Sequence, residues 1–524
     1  MNITWGGLFI FSQLNAILNL SGGINLSKQN TNQKEQWGSR LGFIFAALGM
    51  AVGTGNIWRF PRIAGSNYGG TFIIAYIICN LIWVLPLIMT EMGIGKATRL
   101  GTVGAFRDFY GKKKTWMGTF VVWVCAAITF YYAVVYGQAI RYFVFAVAGD
   151  LKPGMDSVAL WEGFLANPVE TVSFLLIAVL TMAFFLYRGV KGGLELVGKL
   201  AIPALFICLV GTSIWACMQP GATKGLEFLF VPQWAHFFDL KVWLNALTQT
   251  AWSAGAGWGM MVTYANYFKE NEDIVVNSFM ITFGDQCGAL LGALAVLPSV
   301  FALSATQADA VASLGAGNVG LTFIYLAKLF PTMPGGRIIA IVFFLALSLA
   351  ALTSIIPQAE AIVRNFVNGG MDRKKATTIV CVATFLFGIP SALNIDFLNN
   401  QDWVYGIGLL LCGLFFAMAV YNYGVDDFRV NLLNKSSDMK MGKYYNFIIR
   451  CFPVLLVIVV GWWLLQSVAW HPTDWWNPML VDSLGTAVIQ IAIAVFVFIA
   501  INDKLADKIT DKSYMKEGKF LDTK

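Results

Sequence analysis

Asn56 and Arg59 stand inside an apolar, membrane-length run, close behind three glycines, Gly49, Gly53 and Gly55, in the segment LGMAVGTGNIWRFP. Hydrocarbon offers no partners to backbone amides and carbonyls, so a helix breaks at membrane depth only where the freed groups face a cavity or a ligand. Glycine permits such a break and lets a ligand approach the backbone. The half-helix ends then present amides to anions and carbonyls to cations. That chemistry suits a zwitterion travelling with sodium. Small residues alone serve close helix packing equally well. The amide and the guanidinium turn the reading towards function, because an intramembrane charge is costly and marks a pathway or a paired gate.

A second glycine-rich interruption, SAGAGWG from Ser253 to Gly259, lies five apolar spans further on. Glycine-broken spans at corresponding positions of two halves point to an inverted-repeat transporter that holds its substrate near the midplane.

The elements that must position these residues are membrane helices. The 524 residues are 57% hydrophobic and 12% charged, with mean hydropathy +0.66, which excludes an ordinary soluble domain. Stretches of the roughly 20 residues that a spanning helix needs fall near 41–65, 70–95, 117–148, 168–187, 193–217, 242–267, 274–302, 337–367, 376–393, 402–424, 447–469 and 482–502. The fold class is therefore all-α integral membrane protein with about 12 transmembrane helices. The expected organisation is an N-terminal extension (1–36), a first five-helix repeat (37–217), an extracellular connection (218–241), a second five-helix repeat (242–424), two further helices (425–502) and a basic cytoplasmic tail (503–524). The repeat rests on spacing, since the halves share no convincing residue-level similarity.

Basic residues cluster in alternate connections, around Lys96 to Lys114, Arg188 and Lys191, Arg373 to Lys375, and Arg429 to Arg450. The positive-inside rule puts these in the cytoplasm with both termini, in a multi-pass protein of the cell inner (plasma) membrane. The net charge of +7 follows from that distribution and calls for lipid rather than nucleic acid as the partner. The connection from Leu303 to Gly336 falls outside and reads as a lid or as an inert loop. The apolar stretch from Trp5 to Leu20 has no basic n-region and reads as an interfacial helix or a product of start-codon choice.

Eight cysteines lie in or beside apolar spans, which predicts no disulfide framework. The two histidines, His236 and His471, lack ligand spacing, so a zinc site is not expected. There is no nucleophile–base pair, metal cluster or nucleotide loop to suggest an enzyme, and the absence of an ATP-binding motif leaves an ion gradient as the driving force.

The stretches RLGFIFAALGMAVGTGNIWRFP, WSAGAGWGMMVTYANY and LAALTS, with the Tyr131-Tyr132 pair, resemble the neurotransmitter:sodium symporter family, especially its bacterial amino-acid transporters. The resemblance covers roughly Lys34 to the last span. It implies the leucine-transporter fold, a five-plus-five inverted repeat with discontinuous helices 1 and 6, two sodium ions and alternating access.

By position, the resemblance assigns the first sodium to the Ala51 carbonyl, Asn56, Ser253 and Asp285, and the second to the carbonyls of Gly49, Val52 and Ala350 with the hydroxyls of Thr353 and Ser354. Back-bonding to helical carbonyls is the plainer role of those two hydroxyls. The substrate carboxylate would meet the amides of Thr54 and Gly55 and the Tyr132 hydroxyl. Its ammonium would meet carbonyls near Ala51, Trp252 and Ser253, and Ile128, Gly255, Trp258, Ser354 and Gln358 would line the pocket. Tyr132, Trp252 and Trp258 have packing or interfacial roles as alternatives.

Arg59 and Asp402 match the outer gate pair of the family, and Trp37 and Tyr267 match inner gate positions. The usual inner arginine and aspartate appear as Lys34 and Asn368, which puts an inner ionic gate in doubt. Gly193 and Pro203 match a spacing at which the fifth helix unwinds.

Monoamine-selective relatives place an aspartate at Gly53, so glycine implies an amino-acid substrate. Asp285 replaces the usual asparagine, and Ala289 stands where chloride-dependent relatives carry a serine. Asp285 is therefore expected to supply the negative charge, with no chloride requirement; a protonated, structural Asp285 is the alternative. The expected function is sodium symport of a neutral, hydrophobic or aromatic amino acid. A non-transporting amino-acid sensor is the competing class.

Overall fold

Ser39 starts the first helix among the described residues. Its hydroxyl accepts from the Gly42 amide at 3.0 Å, which satisfies one of the donors a helix start leaves open, and α1 runs Arg40–Ala51. Its buried residues, among them Phe43, Ala46, Ala47, Met50 and Ala51, fall on most of its faces, as for a helix surrounded by others. The ladder stops with Val52 N donating to Leu48 O at 2.7 Å. The chain resumes as a π turn, Gly55–Arg59, leading into α2, Phe60–Ser66, and the two parts meet at a 50° bend.

In this computed structural model the described residues are 35–511 apart from 316, together with 513, 515, 516, 519 and 520. The stretch from Trp5 to Leu20 and Lys34 lie outside them.

The helices that build the centre follow in order. α3 (Gly70–Cys79) and α4 (Leu85–Thr98) are joined by a π turn. Then come α5 (Thr115–Ala148), α6 (Glu195–Cys217), α7 (Leu240–Ser253), α8 (Met260–Ala265), α9 (Ile274–Leu303), α10 (Gly336–Asn368), α11 (Arg373–Leu393) and α12 (Ile395–Tyr423). Among the described residues nine helices are long and apolar enough to cross a membrane, or eleven if two bent pairs count once each. α7 and α8 are separated by residues 254–259 and form the second broken span. Every one of the apolar stretches read from the sequence contains helix. Two short strands, Met515–Lys516 and Lys519–Phe520, pair in the tail.

α5 packs along α10, and α6 lies against α1, α9 and α10. Some 83% of the most apolar window of the Lys112–Ala148 helix is buried, against 28% for Tyr444–Trp470. The first is thus an axis of the bundle and the second part of its rim. Lipid supplies no hydrophobic drive between helices, so close approach at small residues does much of the holding. A Cβ on Gly292 of α9 would lie 2.2 Å from the Asn56 carbonyl oxygen, so glycine lets α9 press against the first break.

Two expectations change, and a third position is seen in one state. α12 starts at Ile395 rather than 402, because Asn394 caps it through bonds from the Asp396 and Phe397 amides. The connection from Leu303 to Gly336 is no bare loop but holds the helix Gln307–Leu314 and the π turn Gly320–Leu326. The fifth span is wound through both Gly193, in the π turn Val190–Leu194, and Pro203, inside α6.

Candidate functional site

The two breaks face each other across a cavity of about 450 Å³. Of the residues expected to hold substrate, Thr54, Gly55, Ile128, Tyr132, Trp252, Ser253, Gly255, Trp258, Ser354 and Gln358 line it, and only Ala51 does not. Ala51 is fully buried, and its carbonyl accepts from Gly53 N at 3.0 Å across the tight turn of the first break. Tyr132, from the middle of α5, brings its hydroxyl to 3.4 Å from the Thr54 amide and 3.1 Å from the Thr54 hydroxyl. Amide and hydroxyl converge there, as a carboxylate requires. The rings of Trp252 and Trp258 meet edge to face at 6.2 Å.

The second break is built differently from the first. Gly255, Gly257 and Gly259 have φ of +65°, +93° and +75°, a left-handed backbone that side chains disfavour. Its freed amides are not left to lipid. Glu91, wholly buried on α4, accepts from Gly257 N and, at 3.2 Å, from Met261 N.

Asp285 of α9 is the hub of the first oxygen cluster. Asn56 Nδ2 donates to its Oδ1 at 2.8 Å and to its backbone carbonyl at 3.1 Å, Ser253 Oγ donates to Oδ1 at 2.9 Å, and the Tyr76 hydroxyl donates to Oδ2 at 3.1 Å. Asn56 Oδ1 accepts from Gly53 N at 3.1 Å, which fixes the amide's orientation. Asn56 Nδ2 can only donate to the carboxylate, while the Ser253 and Tyr76 hydroxyls, themselves 3.1 Å apart, can donate or accept. Ser253, Asn56 and Asp285 lie within one hydrogen-bonded set, with the Ala51 carbonyl beside it on the turn. Oxygen ligands with a single carboxylate suit a hard monovalent cation. Among the described residues no group of three or more His, Cys, Asp or Glu is placed to hold a metal.

The second oxygen cluster joins the first break to α10. Ser354 Oγ donates to Gly49 O at 3.2 Å, and Thr353 Oγ1 lies 3.0 Å from Leu349 O and 3.1 Å from Ala350 O. The back-bonding role of Thr353 is therefore seen. The hydroxyls of Thr353 and Ser354 meet the carbonyls of Ala350 and Gly49, two of the other nominated oxygens, while Val52 is fully buried alongside.

The gate residues divide. Arg59 and Asp402 both line the cavity, but among the described residues no ion pair joins them. The guanidinium carbon of Arg59 sits 5.0 Å from the Trp252 ring centroid, and Asp402 Oδ1 accepts from the Tyr131 hydroxyl at 2.9 Å. At the other end of the broken helix, Trp37 is buried, with Nε1 donating to Tyr264 O at 3.0 Å and its ring meeting those of Phe43, Tyr264 and Tyr267. The Tyr267 hydroxyl donates to Glu360 Oε1 at 2.6 Å, and Arg373 reaches both oxygens of Glu360 at 2.9 and 2.7 Å and Glu35 at 3.1 Å. Burial pushes the Glu35 carboxyl above its ordinary range, against the pull of Arg373. Asn368, itself uncharged, accepts from the Gly101 amide at 2.6 Å and donates to the Asp511 carboxylate at 2.7 Å.

Sequence reasoning missed Tyr76, Glu91, Glu360, Arg373 and Glu35. For Glu91 and Glu360 the signal was present, since a carboxylate inside an apolar span demands a partner. Tyr76 carried none, being one tyrosine among many in apolar surroundings.

The profile of the Sodium:neurotransmitter symporter family matches residues 34–158 and 163–506. An uncharacterised sodium-dependent transporter of Methanocaldococcus jannaschii is 30% identical over 448 residues, covering 82% of this chain and 90% of the relative. The uncharacterised sodium-dependent transporter YhdH of Bacillus subtilis is 30% identical over 373 residues, 70% of this chain and 80% of its own length. Among solved structures, MhsT in complex with L-phenylalanine superposes with a TM-score of 0.70 at 27% identity, covering 82% of this chain and 98% of MhsT.

Proposed function

The chain belongs to the sodium:neurotransmitter symporter family, and from that premise we propose that it imports a neutral, hydrophobic or aromatic amino acid with two sodium ions by alternating access. The observation that carries this reading is the charge of the cavity. Its only charged lining residues, among those described, are Arg59 and Asp402 at one end, and its interior around Ile128, Gly255 and Trp258 is uncharged. A lone amine would lack a counter-charge there, whereas an amino acid brings its own carboxylate to the Thr54 amide and the Tyr132 hydroxyl. Gly53 itself offers no carboxylate, and a Cβ there would stand 2.8 Å from Ser354 Oγ, so a side chain at this position would have to displace that hydroxyl. The phenylalanine held by MhsT is in keeping with an apolar side-chain pocket.

The first sodium would sit among the Ala51 carbonyl, Asn56, Ser253 and Asp285, the second among Gly49, Val52, Ala350, Thr353 and Ser354. Asp285 supplies the fixed negative charge, so transport needs no chloride. Arg59 and Asp402 close the cavity on the outer side and the Trp37–Tyr267 end faces the cytoplasm.

The test is uptake of radiolabelled neutral amino acids into proteoliposomes with an inward sodium gradient, compared with potassium and repeated with gluconate for chloride. Accumulation above equilibrium, sodium-dependent and indifferent to chloride, is expected. Binding without accumulation would turn the reading to a sensor. A screen in which only acidic or basic amino acids stabilised the protein would refute the substrate class.

A further inference from the structure

Gln358 lines the inner cavity wall with a polar side chain that is not committed to the substrate backbone or to sodium by the reading above, on which this inference rests. It is 3% exposed, on α10, and lines the cavity with Ile128, Gly255 and Trp258. As placed, its Oε1 stands 3.3 Å from Thr129 Oγ1, its single side-chain contact of this kind among the described residues. The Thr129 hydroxyl lies 2.7 Å from Cys125 O, one turn back on α5, and a hydroxyl has one proton. The short bond to Cys125 uses that proton, leaving Thr129 only lone pairs to offer. Two oxygens without a proton between them repel, so the hydrogen bonds favour the amide turned over from that placement, with NH₂ at Thr129. Cys125 helps to fix the backbone on which the amide turns, its thiol approaching Gln358 O at 3.7 Å.

We infer that Thr129 holds the Gln358 amide with its NH₂ inward and its carbonyl oxygen towards the cavity, and that the transported amino acid carries a side-chain O–H or N–H donor for it. Gln358 is then a specificity-determining residue and Thr129 a positioning residue. A purely hydrocarbon side chain would strand a buried carbonyl against apolar surface, which is the stronger source of discrimination.

The experiment compares equilibrium binding to the full-length purified transporter in sodium, using pairs that differ only in the donor. These are tyrosine against phenylalanine, and tryptophan against its analogue with sulfur replacing the ring N–H. The donor-bearing member is expected to bind about tenfold tighter in at least one pair, the scale of one satisfied buried hydrogen bond. Gln358→Leu should bring that ratio to about one, and Thr129→Val, which frees the amide to turn, should reduce it. Equal affinities within both pairs in the unsubstituted protein would overturn the inference while leaving amino-acid symport standing. So would a Gln358→Leu protein that weakens both members alike, the mark of a merely structural glutamine. Failure of every neutral amino acid to bind would overturn both this inference and the function it rests on.

Discussion

At the Trp37 end of the broken first helix two carboxylates and an arginine form one ion-paired knot, Glu360–Arg373–Glu35, locked by the Tyr267 hydroxyl and covered by an aromatic cluster. At the Arg59 end the guanidinium rests over Trp252, while Asp402 is bonded to Tyr131 instead. The cavity reaches the second end and not the first. One end is thus shut by charge pairs that are already made, the other is left ajar by a pair that is not. Alternating access requires these roles to exchange, so each end's residues should respond differently to the same kind of substitution.

The difference can be broken most severely at Glu360. Glu360→Gln leaves a largely buried Arg373 with Glu35 alone, and breaking a buried pair costs about 3 kcal/mol. The substrate-free protein should melt several degrees lower, and uptake should fall by up to about a hundredfold, the free-energy equivalent of that loss. Unchanged melting would mean that the knot does not hold this end shut.

Asn368→Ala should come next. It removes acceptance of the Gly101 amide and the bond to Asp511, worth about 1 to 2 kcal/mol together, and a thermal melt reads it directly. Tyr267→Phe deletes only the hydroxyl bond to Glu360, an effect of about 1 kcal/mol on the same readout.

Arg59→Gln sharpens the contrast. Removing a cation over a ring should change resting stability by less than about 1 kcal/mol, yet uptake should be lost because closure over substrate needs the charge. A large drop in melting temperature would show that the Arg59 end is already closed. The smallest effect is expected from Asp507→Ala, whose bond to Lys112 lies in the open on both sides, and neither melting nor uptake should move.

The same contrast explains what was legible in advance. The two breaks declared themselves because glycines in an apolar run have few other uses, and the residues beside them, Asn56, Thr54, Ser253 and Gly255, do meet at one cavity. Asp402 was read through resemblance as the outer gate partner of Arg59; it lines the cavity with Arg59, but its bond to Tyr131 depends on how two distant helices are set. The inner end was less readable. The doubt over Lys34 and Asn368 was justified at Asn368, which binds the tail; the ion pairs sit instead at Glu360 and Arg373, positions whose partners lie on other segments. The fifth span is wound at Gly193 and Pro203, and a sequence records the capacity to unwind and not the state.

Composition and periodicity alone determined that this chain lives in a membrane as helices, because hydrocarbon accepts no other arrangement for an open chain of such polarity. They also determined where helices must break, because backbone groups freed at that depth need a destination. Which destination each group found was decided only by the tertiary structure. Tyr76 turns to Asp285, Glu91 takes the amides of the second break, and Thr129 meets Gln358. Such pairings join residues from 166 to 229 positions apart, and the strength of a buried hydrogen bond depends on tenths of an ångström that only packing sets.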